Sequence, residues 1–158
     1  MSRLEFVYVT YIETTPEKLW QALTDGDFTE RYWFGHRIAS DWNVGSLYRF
    51  TMQGRLHSDG KILISNPPRQ MAYTFDGCSP ESRRECTSRV TFDLEPSGGS
   101  VRLTVTHDNL DEGGVTYCDI SGGWPMVLSG LKSLLENGRV PSIDLPLTAE
   151  KETADAQA

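Results

Sequence analysis

The position of the one long helical pattern constrains this chain most, because that pattern comes last. From Trp124 the apolar residues Val127, Leu128, Leu131, Leu134 and Leu135 recur at helical spacing, whereas nearly everything upstream reads as strand. A lone helix of this kind has to bury its stripe, and the surface available is the sheet that the strands form. A strongly curved sheet gripping one helix either packs solid or leaves a cavity between the two. A pocket is therefore the first functional expectation, with a filled core as its rival.

The upstream segments fit that arrangement. Leu4 to Ile12 is rich in β-branched and aromatic residues and predicts a strand. Thr15-Pro16-Glu17 then predicts a helix start: a hydroxyl cap, a proline where its missing N–H costs nothing, and an acid at the positive end of the dipole. Leu19, Trp20 and Leu23 give this short helix its apolar side, Asp25-Gly26-Asp27 breaks it, and a second short helical piece is expected from Phe28 to Phe34. Tyr48, Phe50 and Met52 alternate with Arg49, Thr51 and Gln53, the pattern of a half-buried strand. Ser58-Asp59-Gly60 predicts a hairpin turn into a strand over Lys61 to Ser65, and Asn66-Pro67-Pro68 separates that strand from Met71, Tyr73 and Phe75. After a polar loop from Asp76 to Cys86, Val90, Phe92 and Leu94 alternate with polar residues, Pro96-Ser97-Gly98-Gly99 turns the chain, and Val101, Leu103 and Val105 alternate again. Consecutive antiparallel strands of this kind predict a meander, and the fold class is α+β.

The loop Asp111-Glu112-Gly113-Gly114 leads into Tyr117 to Asn137, which carries the final helix, and Gly138 suits its C-terminal stop. Pro125 occupies the first turn of that helix or kinks one begun nearer Val115; both placements stay open. Beyond Pro141 the aromatics disappear and Ala, Glu, Thr and Asp take over. The expected organisation is one domain over residues 1–140 and a disordered tail over 141–158.

Charge and composition remove several function classes. A formal charge of -7 without a basic run beyond Arg83-Arg84 argues against nucleic acid, whose phosphates need clustered Lys and Arg. No stretch approaches the roughly 20 apolar residues of a bilayer span, and Ser2-Arg3-Leu4-Glu5 opens no secretory segment, so a cytoplasmic location is expected. Cys78, Cys86 and Cys118 are an odd number without ligand spacing and are expected as free thiols, oxidative pairing of Cys78 with Cys86 across their loop being the alternative. His36, His57 and His107 form no i, i+4 pair, so no metal is expected. The absence of a nucleophile elbow, a phosphate-binding loop and a dinucleotide fingerprint leaves no cofactor to expect either.

His107 is the polar residue of most interest. It falls in phase with Val101, Leu103 and Val105, so it should face the apolar side at the end of its strand, as a satisfied structural histidine or as a ligand-bonding, proton-moving one. It is the single catalytic candidate. Trp33, Phe34, Trp42, Tyr48, Phe50, Tyr73, Phe75 and Trp124 offer flat surfaces for a ring-containing ligand, and Met52, Phe92 and Leu128 complete the candidate lining. Core packing is the other account of each, as gap filling is for Met52, Met71 and Met126.

Several stretches, in order, resemble a known family. Thr15-Pro16-Glu17-Lys18-Leu19-Trp20-Gln21-Ala22-Leu23-Thr24-Asp25 is similar to the opening helix of the START-like, helix-grip (SRPBCC) superfamily, in the branch named after the activator of the heat-shock-protein-90 ATPase. Gly60-Lys61-Ile62 through Pro67-Pro68-Arg69-Gln70-Met71-Ala72-Tyr73 resembles its middle strands, Ser88 to His107 its last hairpin, and Gly122-Gly123-Trp124 with Leu128 and Leu131 its closing helix. The resemblance implies a curved antiparallel sheet of about six or seven strands around a long C-terminal helix, with two short helices after the first strand. In eukaryotic members that bind the chaperone another domain accompanies this one. For a lone domain the resemblance implies a cavity for a small apolar or amphipathic ligand, and a non-enzymatic binding protein is the leading expectation. A chaperone-associated partner acting through a surface, in a stress response, is the second, and an enzyme similar to the aromatic-polyketide cyclases, with His107 assisting proton transfer, is the third.

Overall fold

The structure is a computed structural model that describes residues 3–77 and 79–144. In chain order it contains β1 (Arg3–Ile12), α1 (Pro16–Thr24), α2 (Gly26–Tyr32), β2 (Arg37–Ser40), β3 (Leu47–Met52), β4 (Arg55–Asn66), β5 (Gln70–Phe75), α3 (Pro80–Arg83), β6 (Ser88–Ser97), β7 (Ser100–Asp111) and α4 (Val115–Asn137). The seven strands form one curved antiparallel sheet in the order β1-β7-β6-β5-β4-β3-β2. The meander that the alternation predicted runs from β2 to β7, and β1 lies beside β7. Register shifts at Leu4/Phe6, Phe50/Thr51 and Ile62/Ile64 bend β7 with β1, β3 with β4, and β4 with β5, since each extra residue increases the local twist.

The concave face carries the core. Val90, Phe92 and Leu94 of β6 and Val101, Leu103 and Val105 of β7 point inward and are buried. Against them α4 lays the stripe Ile120, Trp124, Val127, Leu128, Leu131 and Leu134. Gly130 lets α4 approach α2 closely, because a Cβ there would stand 3.2 Å from Tyr32 Cβ. Thr15 caps α1 by accepting from the Lys18 N–H at 3.2 Å, and a single residue, Asp25, divides α1 from α2 while its carboxylate accepts from the Asp27 N–H. Gly138 ends α4 in the left-handed region, with φ 77°.

One local expectation changes and one open placement is decided. Ser58-Asp59-Gly60 is not a turn: β4 runs straight through it, and the hairpin turns at Gln53-Gly54, where both residues have positive φ. That is what a two-residue hairpin requires, and Gly54 fits its second position. Gly60 is needed for another reason, since a Cβ there would meet Thr74 O and Tyr48 Cε1 at 2.6 Å. Of the two placements open for Pro125, the structure has the second: it lies inside α4, which begins at Val115. Its ring removes the N–H that would reach the Ser121 carbonyl, and Gly122-Gly123 precede it, so the first half of α4 has the weakest intrinsic claim to be helical. Tertiary support replaces it: Glu85, from the polar loop, accepts from the N–H groups of Val115 and Thr116 at the helix start. Of the tail expected from 141, residues 145–158 lie outside the described residues, as does Cys78 and with it any pairing to Cys86.

Candidate ligand cavity

A cavity of about 290 Å³ lies between the first half of α4 and the ends of β3, β4 and β5. Its wall is mostly rings. Trp33 and Phe34 come from the end of α2, Phe50 from β3, Phe75 from β5, and Ile120, Gly123, Trp124 and Val127 from one face of α4. Phe34 and Gly35 both have positive φ, which reverses the chain between α2 and β2 and leaves Phe34 41% exposed at the cavity mouth. The Trp33 ring stands 4.8 Å from Phe50 and 5.4 Å, edge on, from Trp124, so α2, β3 and α4 are joined by aromatic contact at the floor.

The polar members of the wall are His36, His57, Ser58 and Asp119. Thr51 of β3 stands opposite both Arg37 of β2 and Leu56 of β4, and Phe50 stands opposite Ser58. His57 is therefore the extra residue of the bulge, which aims its side chain inward beside His36, with ring centroids 4.2 Å apart. Burial, followed by the proximity of His36 and Arg83, lowers the His57 pKa from its ordinary value. His36 Nδ1 lies 2.8 Å from the Trp33 carbonyl oxygen. That oxygen only accepts, so in the neutral ring the proton sits on Nδ1 and Nε2 carries a lone pair. Nε2 is buried and meets no hydrogen-bond partner among the described residues.

His107 points inward as its phase predicted and is fully buried. It lies behind the cavity wall, edge on to Phe75 at 5.2 Å. Trp124 Nε1–H donates to its Nδ1 at 3.1 Å, so Nε2 carries the proton and donates to Ser88 Oγ at 2.8 Å. Ser88 in turn donates to the Phe75 carbonyl at 2.8 Å. This relay ties α4 to β7, β6 and β5, occupies both imidazole nitrogens, and works only with a neutral ring. Burial pushes the His107 pKa down to about 4, against a smaller opposing pull from Asp108.

Of the residues singled out by sequence, Trp33, Phe34, Phe50, Phe75 and Trp124 line the cavity. Tyr48, Tyr73, Phe92, His107 and Leu128 are buried in the core beneath it. Trp42 is half-buried against another part of the core, and Met52 is 39% exposed at the β3–β4 hairpin. Sequence reasoning missed His36, His57, Ser58, Asp119, Ile120, Gly123 and Val127 as lining. Ile120 and Val127 are legible as the i−4 and i+3 neighbours of Trp124 once α4 is known to begin at Val115, whereas the histidines meet only through the register and bulge of β2–β3–β4. A larger groove of about 590 Å³ runs over the outer sheet face, past the ion-paired Arg89 and Asp108. Arg3, also in its wall, pairs with Asp111. Among the described residues no group of three or more His, Cys, Asp or Glu side chains is arranged to hold a metal ion, and no described helix is long and apolar enough to cross a membrane.

A curved antiparallel sheet wrapped around one long helix, with a ring-lined space left between them, defines a helix-grip domain of the START-like class. Residues 13–136 match the family described as activator of Hsp90 ATPase homolog 1-like protein, and the chain belongs to that family. Solved structures agree. The Aha1 dimer from Colwellia psychrerythraea is 27% identical, with a TM-score of 0.71 over 85% of this chain and 98% of that one. A protein from Mesorhizobium loti is 25% identical, with a TM-score of 0.72 over 84% and 96%. A conserved protein of unknown function from Enterococcus faecalis, 18% identical with a TM-score of 0.73 over 98% and 85%, shares the fold. No curated protein matches the chain.

Proposed function

We propose that the chain binds a small, ring-containing apolar or amphipathic ligand in the cavity beside Trp124, and that it does so without chemical turnover. The observation that carries this reading is the lining. Five aromatic rings and two aliphatic side chains surround about 290 Å³ at the junction of helix and sheet, close to the lower bound of roughly 300 Å³ for ligand sites. Such a surface gains most from a flat apolar guest.

N-phenyl-1-naphthylamine, a neutral ring probe that fluoresces in apolar surroundings, tests the reading. Binding is expected to raise its emission and the melting temperature together, because a guest of the native state alone stabilises that state. Gly123→Leu, whose side chain has open space to enter, is expected to abolish both effects while the protein stays folded. Unchanged emission and melting across a panel of neutral aromatic probes would end the proposal.

A second reading has its own support. Val7, Val9 and Tyr11 stand about half exposed in a row on the outer face of β1, a surface suited to a protein partner. Family membership and the dimeric Colwellia relative point to a chaperone or a second copy. Chaperone pull-down that depends on Val7 and Val9, and ignores Gly123→Leu, separates this reading from the first.

A further inference from the structure

We propose that His36 is the specificity residue of the cavity: its Nε2 lone pair selects neutral ring ligands that carry a hydrogen-bond donor, a hydroxyl or an N–H, over plain hydrocarbons and over carboxylates. This rests on the ligand-binding reading above and names the ligand class. The argument begins with the tautomer. Trp33 O accepts from the His36 backbone N–H at 2.9 Å and from Nδ1–H at 2.8 Å, which fixes the ring plane and leaves Nε2 as a pure acceptor.

An acceptor buried without a partner is costly and seldom retained without a use. Here, among the described residues, it is the one buried side-chain N or O atom in that condition, and its ring belongs to the cavity wall. The group able to cover it is the His57 imidazole, 4.2 Å away, half-buried and held on a bulge. His57 has to turn about its side-chain bonds for a ligand donor to reach Nε2.

The sign of the selection follows from the same atoms. His57 is held toward its neutral form by burial and by the nearby His36 and Arg83. A ligand carboxylate, which has no proton to donate, would set its oxygens against the Nε2 lone pair, and naphthalene would leave the acceptor unpartnered. A phenolic O–H or an aromatic N–H instead completes a bond that the folded protein leaves open.

Naphthalene, 2-naphthol and 2-naphthoate, titrated near neutral pH into the full chain, test this directly. The expected result is that 2-naphthol binds roughly tenfold tighter than naphthalene, with 2-naphthoate the weakest. In His36→Phe the naphthol-to-naphthalene ratio should fall to about one. Should that variant fail to fold, the ¹⁵N signal of His36 Nε2 in the wild type serves: it moves upfield on adding naphthol, as a lone pair that accepts a bond does, and stays with naphthalene. Equal affinities for naphthalene and naphthol overturn the donor proposal and leave the cavity reading standing. A ratio that survives in His36→Phe, an unmoved Nε2 signal, or tightest binding of the naphthoate also overturns it. Binding of none of the three overturns both.

Discussion

The relay through His107 makes acid a specific perturbation. The neutral ring is required, because Nδ1 must accept from Trp124 while Nε2–H donates to Ser88. With a folded pKa of about 4 against an ordinary 6.5, the unfolded chain binds the proton more readily. Stability is therefore complete above the unfolded value and falls as the pH drops from about 6.5 toward about 4. Linkage over that window gives a loss of about 2–3 kcal/mol by about pH 4.5 and about 3 kcal/mol in the limit. Carboxylates titrate too, so the comparison is with His107→Gln, which has no such transition. At about pH 7.5 this variant should be less stable by roughly 1–3 kcal/mol, the cost of removing the acceptor from the Nδ1 position that the buried Trp124 N–H meets. By about pH 4.5 the difference should shrink by about 2–3 kcal/mol, so that the two proteins converge or cross. Urea unfolding at both pH values, followed by far-UV circular dichroism, reads this out. A stability gap that is constant across the window would mean that His107 accepts a proton in the folded state without penalty, and the relay as described would be wrong.

Three further outcomes follow from local geometry. Glu85→Ala removes the acceptor at the start of α4, where Gly114 offers no side-chain cap, and should cost about 1 kcal/mol in urea unfolding; no change would show that the cap is idle. Gly122→Ala places a methyl group in open space on a helix and should stabilise by roughly 0.5–1 kcal/mol, seen as a higher urea midpoint. Gly60→Ala forces a Cβ to within 2.6 Å of Thr74 O and the Tyr48 ring, and should lower the melting temperature through a loss of about 1–3 kcal/mol; a neutral result would mean that β4 can shift there freely.

Fold and site differed in how far the sequence revealed them. Strand alternation around Tyr48, Val90 and Val101 depends on the two-residue period of a half-buried sheet, and α4 on a stripe of spacing three and four, so the helix-grip layout was readable from local pattern. The turn at Gln53-Gly54 was misplaced because Gly60 supplies a glycine for a different reason, close approach of β5 and Tyr48, which local sequence does not distinguish from turn chemistry. Of the candidate site, the aromatic lining was picked out by residue type: Trp33, Phe34, Phe50, Phe75 and Trp124 are five of its twelve residues. The polar members were not. His36 and His57 are 21 positions apart and meet only because a bulge at Phe50/Thr51 takes one residue out of register. His107 shows the converse limit, since its inward phase was legible while the bonds from Trp124 and to Ser88 that occupy it were not.

The central claim is that the space beside Trp124 receives a ring-shaped guest. The four tryptophans supply built-in reporters, because Trp33 and Trp124 line the cavity while Trp20 and Trp42 do not. An ¹⁵N-edited spectrum of the indole N–H signals during titration with N-phenyl-1-naphthylamine should move Trp33 and Trp124 and leave Trp20 and Trp42 in place. Movement of Trp20 or Trp42 alone, or of none at saturating probe, would contradict the account.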